Sequence, residues 1–297
     1  MNVGSCSYLG QSHLAVFAEG RVIMPALSGS APSMLHTIWS LLDGGDAALA
    51  ELRSFCRAPP SSCERAIDEV QWLAPIARPR KNIMCLGWNY REHVRESADA
   101  RGKAVELPDH PIVFTKAVTT VCGPFDAVSV DEAVTTQLDW EVELAVIIGR
   151  GGKNISEARA LDHVFGYTVI NDLSARDVQF RHKQYFLGKS LDGTCPMGPW
   201  IVLADAIPDP QNLALRCRVN GVVKQDSHTS QQIFPVARII AILSRHVTLD
   251  PGDIISTGTP AGVGFARTPP EFLQSGDVVE CEIDGIGTLR NTIIKKK

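Results

Sequence analysis

Two glutamates one residue apart and a downstream aspartate are the side chains of this sequence best suited to chemistry. Glu141 and Glu143 lie in an otherwise apolar, strand-like run, and Asp172 ends the next such run. Because side chains alternate between faces along a strand, Glu141 and Glu143 point the same way. A divalent cation such as Mg²⁺ or Mn²⁺, with a third oxygen ligand from a neighbouring strand, relieves their repulsion. The alternative is a solvated polar face, since Glu-x-Glu is common.

A histidine and a glutamate three residues apart follow another strand-like run. His93 and Glu96 fall on one face of a short polar helix, where the carboxylate can orient the imidazole and raise its basicity. That is the arrangement a general base needs. The alternative is a surface helix that carries an incidental ion pair.

Asp172 also opens a polar segment with two further candidates. Aspartate is a good helix N-cap, and a capping carboxylate still has acceptor sites for a metal ion. Arg176 and Gln179 lie three apart on the following turn. They can recognise a distal carboxylate of a substrate or make local contacts only.

Two lysines and a glycine-rich loop complete the candidate set. Lys116 follows a strand and Lys189 follows a glycine on a loop, so each can place positive charge near a cation or be solvated. Gly258 and Thr259 begin a glycine-rich segment whose amides and hydroxyl can bind an oxyanion, or form an ordinary turn. The sequence has neither the spacing of a phosphate-binding loop nor a Gly-x-Ser-x-Gly nucleophile elbow.

Composition indicates an ordinary globular protein. The chain has 297 residues, 44% of them hydrophobic, which supplies one large or two modest cores. A net charge of -4 gives no electrostatic footprint for nucleic acid, and the only basic run is residues 295–297. Eight scattered cysteines without a Cys-x-x-Cys pair suit reduced thiols. With no signal peptide or membrane-length run, we expect a soluble cytoplasmic protein that makes no membrane contact.

Prolines near residue 78 divide the chain into two expected domains. Residues 1–78 read as a small N-terminal unit with a linker, containing a hairpin around Glu19-Gly20 and two short helices. Residues 79–297 are dominated by strand signals, with Asn220-Gly221 as the strongest hairpin turn and residues 235–245 as the clearest helix. This pattern predicts a β-rich α+β domain with a rolled or barrel-like sheet. The predicted strands are 82–87, 111–115, 140–149, 164–171, 199–204, 214–219, 222–225, 253–256, 277–283 and 287–294.

Six segments, taken in order, closely resemble the fumarylacetoacetate hydrolase family. They are residues 82–96, 114–116, 139–143, 166–179, 188–190 and 257–264, so the resemblance spans about residues 80–295. It implies a mixed β-roll catalytic domain that is usually a homodimer, with a small N-terminal α+β domain in many members. It also implies that Glu141, Glu143 and Asp172 hold Mg²⁺ or Mn²⁺.

The resemblance further assigns roles to the remaining candidates. It implies a lid helix whose His93 and Glu96 act in catalysis, together with Lys189. It implies substrate contacts from a larger set, namely Tyr90, Lys116, Arg176, Gln179, Gly258 and Thr259.

The function predicted first is hydrolysis of a small-molecule substrate, a 3-acylpyruvate such as fumarylpyruvate, to pyruvate and a carboxylic acid. His93 with Glu96 favours this choice, because the pair suits activation of a water molecule. The same metal site also suits an oxaloacetate decarboxylase, or an isomerase, hydratase or lyase acting on 2-oxo-dienoic or ureidoglycolate-like acids. A protein that binds 2-oxo acids without turnover is a further alternative.

Overall fold

The structure is a computed structural model that describes residues 1–18 and 20–296. Glu19 of the predicted hairpin turn and Lys297 of the basic tail lie outside the described residues. The α-helices are α1 (Ile38–Phe55), α2 (Arg91–Ala100), α3 (Arg176–Arg181), α4 (Phe186–Lys189) and α5 (Val236–His246). Short 3-10 helices span Pro25–Ser28, Ser33–Leu35, Ser61–Cys63, Ile67–Glu69, Val118–Thr120, Glu157–His163, Ala204–Ala206, Thr229–Gln231 and Gly264–Ala266.

Strands make up most of the regular structure. In chain order they are β1 (Asn2–Tyr8), β2 (Gln11–Ala18), β3 (Arg21–Ile23), β4 (Glu64–Ala66), β5 (Gln71–Trp72), β6 (Ile83–Gly87), β7 (Ile112–Lys116), β8 (Val121–Cys122), β9 (Val128–Asp131), β10 (Leu138–Asp139), β11 (Val142–Ile148), β12 (Val164–Asn171), β13 (Ser174–Ala175), β14 (Cys195–Leu203), β15 (Ala214–Val219), β16 (Val222–His228), β17 (Ile254–Ser256), β18 (Val278–Ile283) and β19 (Gly287–Lys296). Every predicted strand has a counterpart, although β14 starts earlier than expected. The strands that were not predicted in the C-terminal part, β8, β9, β10 and β13, are too short to give a clear alternating pattern.

The strands form two main sheets. The larger has the order β4-β3-β2-β1-β14-β12-β11-β17-β6-β7, and the smaller has the order β16-β15-β18-β19-β9. A separate pair joins β10 to β13. Neither main sheet closes on itself among the described strands, so the predicted mixed, β-rich α+β fold is confirmed as an open roll rather than a barrel.

Strand β11 lies at the centre of the large sheet and is buried on both faces. Val142, Leu144 and Val146 pack into the core shared with the small sheet and α5. Ala145 and Ile147 point the other way, into the core beneath α1. Burial on both faces explains the nearly continuous apolar run that surrounds the two glutamates.

The N-terminal strands extend the same sheet. β1 pairs antiparallel with β14, with Asn2 opposite Val202. The two short helices predicted in this region are the two parts of α1, which are separated by a kink at Gly45, where φ is 54° and ψ is -139°. A domain boundary near residue 78 stays a prediction.

Local predictions in the C-terminal part are also met. Asn220 and Gly221 have φ of 51° and 78°, the positive values that a tight hairpin turn between β15 and β16 requires. The predicted helix at 235–245 is α5, with Pro235 as its N-cap rather than within its first turn.

The eight cysteines are free thiols. Among residues 1–18 and 20–296, no helix combines the length and apolar character needed to cross a bilayer.

Candidate active site

The pairing of β11 with β12 brings the three acidic residues together. Val142 lies opposite Asn171 and Glu143 opposite Ile170, and the Asp172 amide donates to the Glu141 carbonyl at 2.9 Å. This register places Glu141 and Asp172 across from each other on one face, with Glu143 next along that face. One carboxylate oxygen from each residue lies within 4.8 Å of the others.

A third strand fixes the orientation of Glu143. β17 pairs with β11 so that Ser256 lies opposite Ala145, on the face that carries Glu143. The Ser256 hydroxyl donates to Glu143 Oε2 at 2.6 Å, and the Gly258 amide donates to the same oxygen at 2.9 Å. Glu143 therefore has one oxygen held by the protein and another available to a ligand.

Three buried cations contact the other two acids. Lys189 Nζ lies 2.7 Å from Glu141 Oε2 and 2.8 Å from Asp172 Oδ2. Lys116 Nζ lies 2.7 Å from Asp172 Oδ1, and Arg176 Nη2 lies 2.6 Å from Glu141 Oε1. The last two contacts are ion pairs by distance only, because Asp172 Oδ1 and Arg176 Nη2 form no hydrogen bond within the described chain.

The charged groups of the site carry a net negative charge, which favours binding of a cation. Its carboxylates outnumber its positive groups, with Asp139, Glu141, Glu143 and Asp172 facing Lys116, Arg176 and Lys189. Burial, with the nearby charges of Asp172 and Glu141, raises the pKa of Glu143 well above its usual value. Burial also raises the pKa of Glu141, but Lys189 and Arg176 more than reverse this and lower it. Glu143 is therefore the acid whose negative charge lacks compensation.

The donor set fits Mg²⁺ or Mn²⁺. Both ions prefer carboxylate oxygen, and the three acids offer such oxygens from one face. The buried Asp172 Oδ1, which accepts no hydrogen bond in the described chain, and the uncompensated Glu143 are what a divalent cation would satisfy. The ion would also turn the net charge of the site positive, which suits an anionic substrate.

The predicted lid helix is α2, and it is docked over the acids. His93 Nδ1 lies 2.7 Å from Glu96 Oε1, as the spacing predicted. Glu96 Oε2 accepts from the Gly262 amide at 2.8 Å, which ties α2 to the glycine-rich loop. With its Nδ1 proton donated to Glu96, His93 keeps a lone pair on Nε2.

These side chains surround a narrow inner cavity of about 30 Å³. Of the predicted site residues, seven line it: His93, Glu141, Glu143, Arg176, Gln179, Lys189 and Thr259. The volume is room for about one water molecule. We therefore expect α2 to shift when a substrate enters.

Three of the predicted substrate contacts do not line this cavity, and Asp172 does not have the predicted capping role. Tyr90 packs in the core with its hydroxyl 3.4 Å from Gln232 Nε2, so the geometry does not support the predicted substrate contact. Lys116 is fully buried behind Asp172. The Gly258 amide is directed to Glu143 rather than to an oxyanion. Asp172 does not cap a helix, because α3 begins only at Arg176.

Asp139 is an important residue that sequence reasoning left without a role. It is fully buried and accepts from Arg176 Nε at 2.8 Å and from the Gly264 amide at 2.7 Å. It thereby fixes Arg176 and the loop that follows the glycine-rich segment. Its place two residues before Glu141, on the same side of the chain, was the available signal.

Replacing Gly258 by alanine is expected to weaken the metal site. Gly258 has a φ of 95°, and a Cβ there would lie 2.8 Å from Asn89 Cβ. We expect the free energy of unfolding to fall by about 1–3 kcal/mol because of backbone strain. The amide of residue 258 should also be displaced, so that it no longer holds Glu143. Gly276→Ala is the matched control, since Gly276 has a φ of 94° with nothing within 4 Å. If both variants changed the Mn²⁺ affinity equally, the close packing of Gly258 against Asn89 would not be needed for the metal site.

This chain is similar to a known protein family and to named relatives. Residues 82–294 match the model of a protein family described as "Fumarylacetoacetate (FAA) hydrolase C-terminal". Oxaloacetate tautomerase YisK of Bacillus subtilis (strain 168) is 52% identical over 228 residues, which cover 77% of this chain and 74% of the relative. The human mitochondrial oxaloacetate tautomerase FAHD2A is 43% identical over 265 residues, which cover 89% of this chain and 81% of the relative.

Solved structures of other proteins are similar to this chain over its whole length. Fumarylacetoacetate hydrolase (EaFAH) from psychrophilic Exiguobacterium antarcticum is 37% identical with a TM-score of 0.82, and each chain is covered fully. Maleylpyruvate hydrolase from Sphingobium sp. SYK-6, in complex with manganese(II) ion and pyruvate, is 25% identical with a TM-score of 0.79, again with 100% coverage of both chains. The chain belongs to the fumarylacetoacetate hydrolase family, as its motifs predicted, and all four of these relatives are named as enzymes.

Proposed function

We propose that this protein is an oxaloacetate tautomerase that depends on Mg²⁺ or Mn²⁺ and interconverts the keto and enol forms of its substrate. The observation that carries the proposal is the convergence of three buried acids, Lys189 and His93 on one cavity. The tautomerase relatives support the choice of substrate. Oxaloacetate, an alternative substrate in the sequence analysis, thereby comes first.

Tautomerisation moves one proton between C3 and the 2-oxo oxygen, so it needs a base and positive charge. A divalent cation, when bound to the triad, supplies Lewis acidity that makes the C3 proton of a 2-oxo acid easier to remove. His93 Nε2 accepts that proton, and Glu96 holds the imidazole and stabilises its charged form. The imidazolium then gives the proton to the 2-oxo oxygen, so atoms and charge balance.

Two further groups support the proton transfer. Lys189 is held charged at the edge of the cavity by Glu141 and Asp172, because these acids raise its pKa against the effect of burial. Its charge offsets the negative charge that develops on the substrate oxygen. Docking of α2 through Glu96 and Gly262 keeps bulk water from the reacting atoms.

Hydrolysis of a 3-acylpyruvate is the second candidate, because the His93-Glu96 pair is equally suited to water activation. Here His93 takes a proton from water, which attacks the distal carbonyl. The bond between that carbonyl and C3 breaks, and C3 is reprotonated to give pyruvate and a carboxylic acid.

Product analysis with Mn²⁺ separates these functions. A tautomerase speeds the supply of keto oxaloacetate to coupled malate dehydrogenase, and without that coupling enzyme it leaves total oxaloacetate unchanged. A decarboxylase releases pyruvate from oxaloacetate, and a hydrolase releases pyruvate and an acid from acetylpyruvate or fumarylpyruvate. No acceleration of keto formation above the metal-only rate would refute the proposal.

Replacing His93 by glutamine is expected to lower kcat by about 10²–10⁴-fold, the usual contribution of a general base. The affinity for Mn²⁺ should stay within about twofold, since His93 is not among the three acids that would hold it. Stopped-flow kinetics and Mn²⁺ titration measure the two quantities. Arg95→Met, an exposed change on the same helix, is the control. Normal turnover in His93→Gln would remove His93 from the mechanism.

A further inference from the structure

A second, larger cavity adjoins the inner one, and its charged lining residues are basic. Its volume is about 590 Å³, and it shares Arg101, Gln179, Tyr185 and Phe265 with the lining of the inner cavity. Its described lining residues include Arg101, Lys103 and His182 but neither aspartate nor glutamate. A basic wall without acidic partners, next to a site for 2-oxo acids, suits an additional anionic group of the substrate.

Arg101 is the charged residue among the four that line both cavities. It is the C-cap of α2, and its guanidinium carbon lies 5.4 Å from the Trp88 ring centroid, 4.8 Å from that of Phe180 and 5.7 Å from that of Phe265. Three rings therefore restrict where the guanidinium can lie, so less conformational freedom is lost when it binds an anion.

Arg101 lacks a carboxylate partner. No aspartate or glutamate oxygen of residues 1–18 and 20–296 lies within ion-pair distance of it. Burial, together with the nearby charge of Arg176, lowers the pKa of Arg101, and contact with Tyr185 only partly opposes this.

The other arginine of the site is already engaged. Arg176 pairs with Asp139 and Glu141 and donates to Gln179 Oε1 at 2.9 Å. Its guanidinium carbon also lies 4.6 Å from the Phe265 ring centroid, so that ring contacts both arginines. Of the two, Arg101 is the one without a carboxylate partner. Its side chain interacts with the Tyr185 hydroxyl, which leaves the rest of its five N–H donors for a substrate.

We propose that Arg101 binds the distal carboxylate of a dicarboxylic 2-oxo acid and sets a preference for such substrates over monocarboxylic ones. This inference rests on the proposed function, since oxaloacetate has such a carboxylate. A guanidinium forms two parallel hydrogen bonds with a carboxylate, which gives both affinity and orientation. Because Arg101 ends the helix that carries His93, the same ion pair holds α2 in its docked position over the substrate.

The test compares oxaloacetate with 2-oxobutyrate, which has a methyl group in place of the distal carboxylate. Calorimetric titration of both into Mn²⁺-loaded protein gives their affinities, and stopped-flow kinetics gives KM and kcat for oxaloacetate. For Arg101→Met we expect the Kd and KM for oxaloacetate to rise at least about tenfold with kcat changed less than about threefold. The Kd for 2-oxobutyrate should stay within about twofold.

Two further variants make the result specific. Arg101→Lys keeps the charge but loses the paired hydrogen bonds, so its affinity for oxaloacetate should lie between those of the parent and Arg101→Met. Arg95→Met removes one exposed charge from the same helix outside both cavities and should bind both ligands as the parent does. An equal loss in Arg95→Met would mean that net charge, not Arg101, sets the preference.

The outcomes also separate this inference from the proposed function. If the parent protein prefers oxaloacetate in binding, loses the preference in Arg101→Met, and yet does not speed tautomerisation, the subsite stands and the proposed function fails. If the parent protein tautomerises oxaloacetate while Arg101→Met and Arg101→Lys bind both ligands as before, the subsite is refuted.

Discussion

Glu143→Gln is expected to abolish metal binding and to lower activity at least about 10³-fold, yet to leave the metal-free protein as stable as the parent or more so. The reason is that Glu143 is the acid without a compensating cation. Burial and the neighbouring charges of Asp172 and Glu141 disfavour its ionised form in the absence of metal. A neutral amide removes that repulsion, and its oxygen still accepts from Ser256 and Gly258.

Glu141→Gln is the matched comparison, because it removes the same charge from the same face. Glu141 is contacted by Lys189 and Arg176, so its loss leaves buried cations with one partner fewer. We expect the metal-free variant to lose about 3–5 kcal/mol of unfolding free energy, the usual cost of breaking a buried pair. Both variants should lose Mn²⁺ binding and activity.

Urea unfolding of the three EDTA-treated proteins measures the stabilities, and calorimetry measures the binding of Mn²⁺. The two variants should differ in stability while agreeing in their loss of metal. If Glu143→Gln were as destabilised as Glu141→Gln, the claim that Glu143 lacks a compensating cation while Glu141 has two would be refuted. If either variant bound Mn²⁺ as the parent does, that glutamate would not be a ligand.

The triad was predictable because it depends on period-two alternation and on the pairing of consecutive strands. Glu141 and Glu143 had to share a face, and the antiparallel pairing of β11 with β12 makes Asp172 the residue opposite Glu141. His93 and Glu96 were predictable for the same kind of reason, since helical spacing alone brings them together. Local geometry therefore predicted which side chains lie together, while the resemblance to the family gave them their expected roles.

The placements that sequence reasoning did not predict depend on tertiary packing. Tyr90 lies at the junction of a strand-end segment and α2, where no periodicity determines the direction of a side chain, and it points into the core. Lys116 was expected at the substrate, and the structure places its Nζ, fully buried, 2.7 Å from Asp172 Oδ1. The environment of Arg101 is built by aromatic residues distant in sequence, Trp88, Phe180 and Phe265, which no spacing rule connects.

The division of charge in the site also shows why a metal ion and three cations occur together. Lys189 and Arg176 lower the pKa of Glu141 against the effect of burial, and Lys116 and Lys189 contact Asp172. These contacts would hold two of the proposed ligands in place before a cation arrives. Glu143 lacks such a partner and is held by neutral donors. A divalent ion is then attracted chiefly by the acid whose charge is still uncompensated.

Lys189→Met is expected to lower activity by about 10²–10³-fold while Mn²⁺ binds at least as tightly as to the parent. Lys189 Nζ contacts both Glu141 and Asp172, so its removal makes the site more negative and favours the cation. The metal-free variant should lose about 3–5 kcal/mol of stability, because two buried carboxylates lose a shared partner. Added Mn²⁺ should restore most of that loss, since it replaces the missing positive charge.

Thermal unfolding with and without Mn²⁺, a Mn²⁺ titration and the tautomerase assay together test this prediction. Arg159→Met is the control, since its ion pair with Asp162 is exposed and should contribute no more than about 1 kcal/mol. A Lys189→Met protein that regained both stability and full activity with Mn²⁺ would show that Lys189 only balances charge. Stability restored without activity is the result expected if Lys189 also offsets charge on the substrate, because the cation and the lysine then act on different atoms.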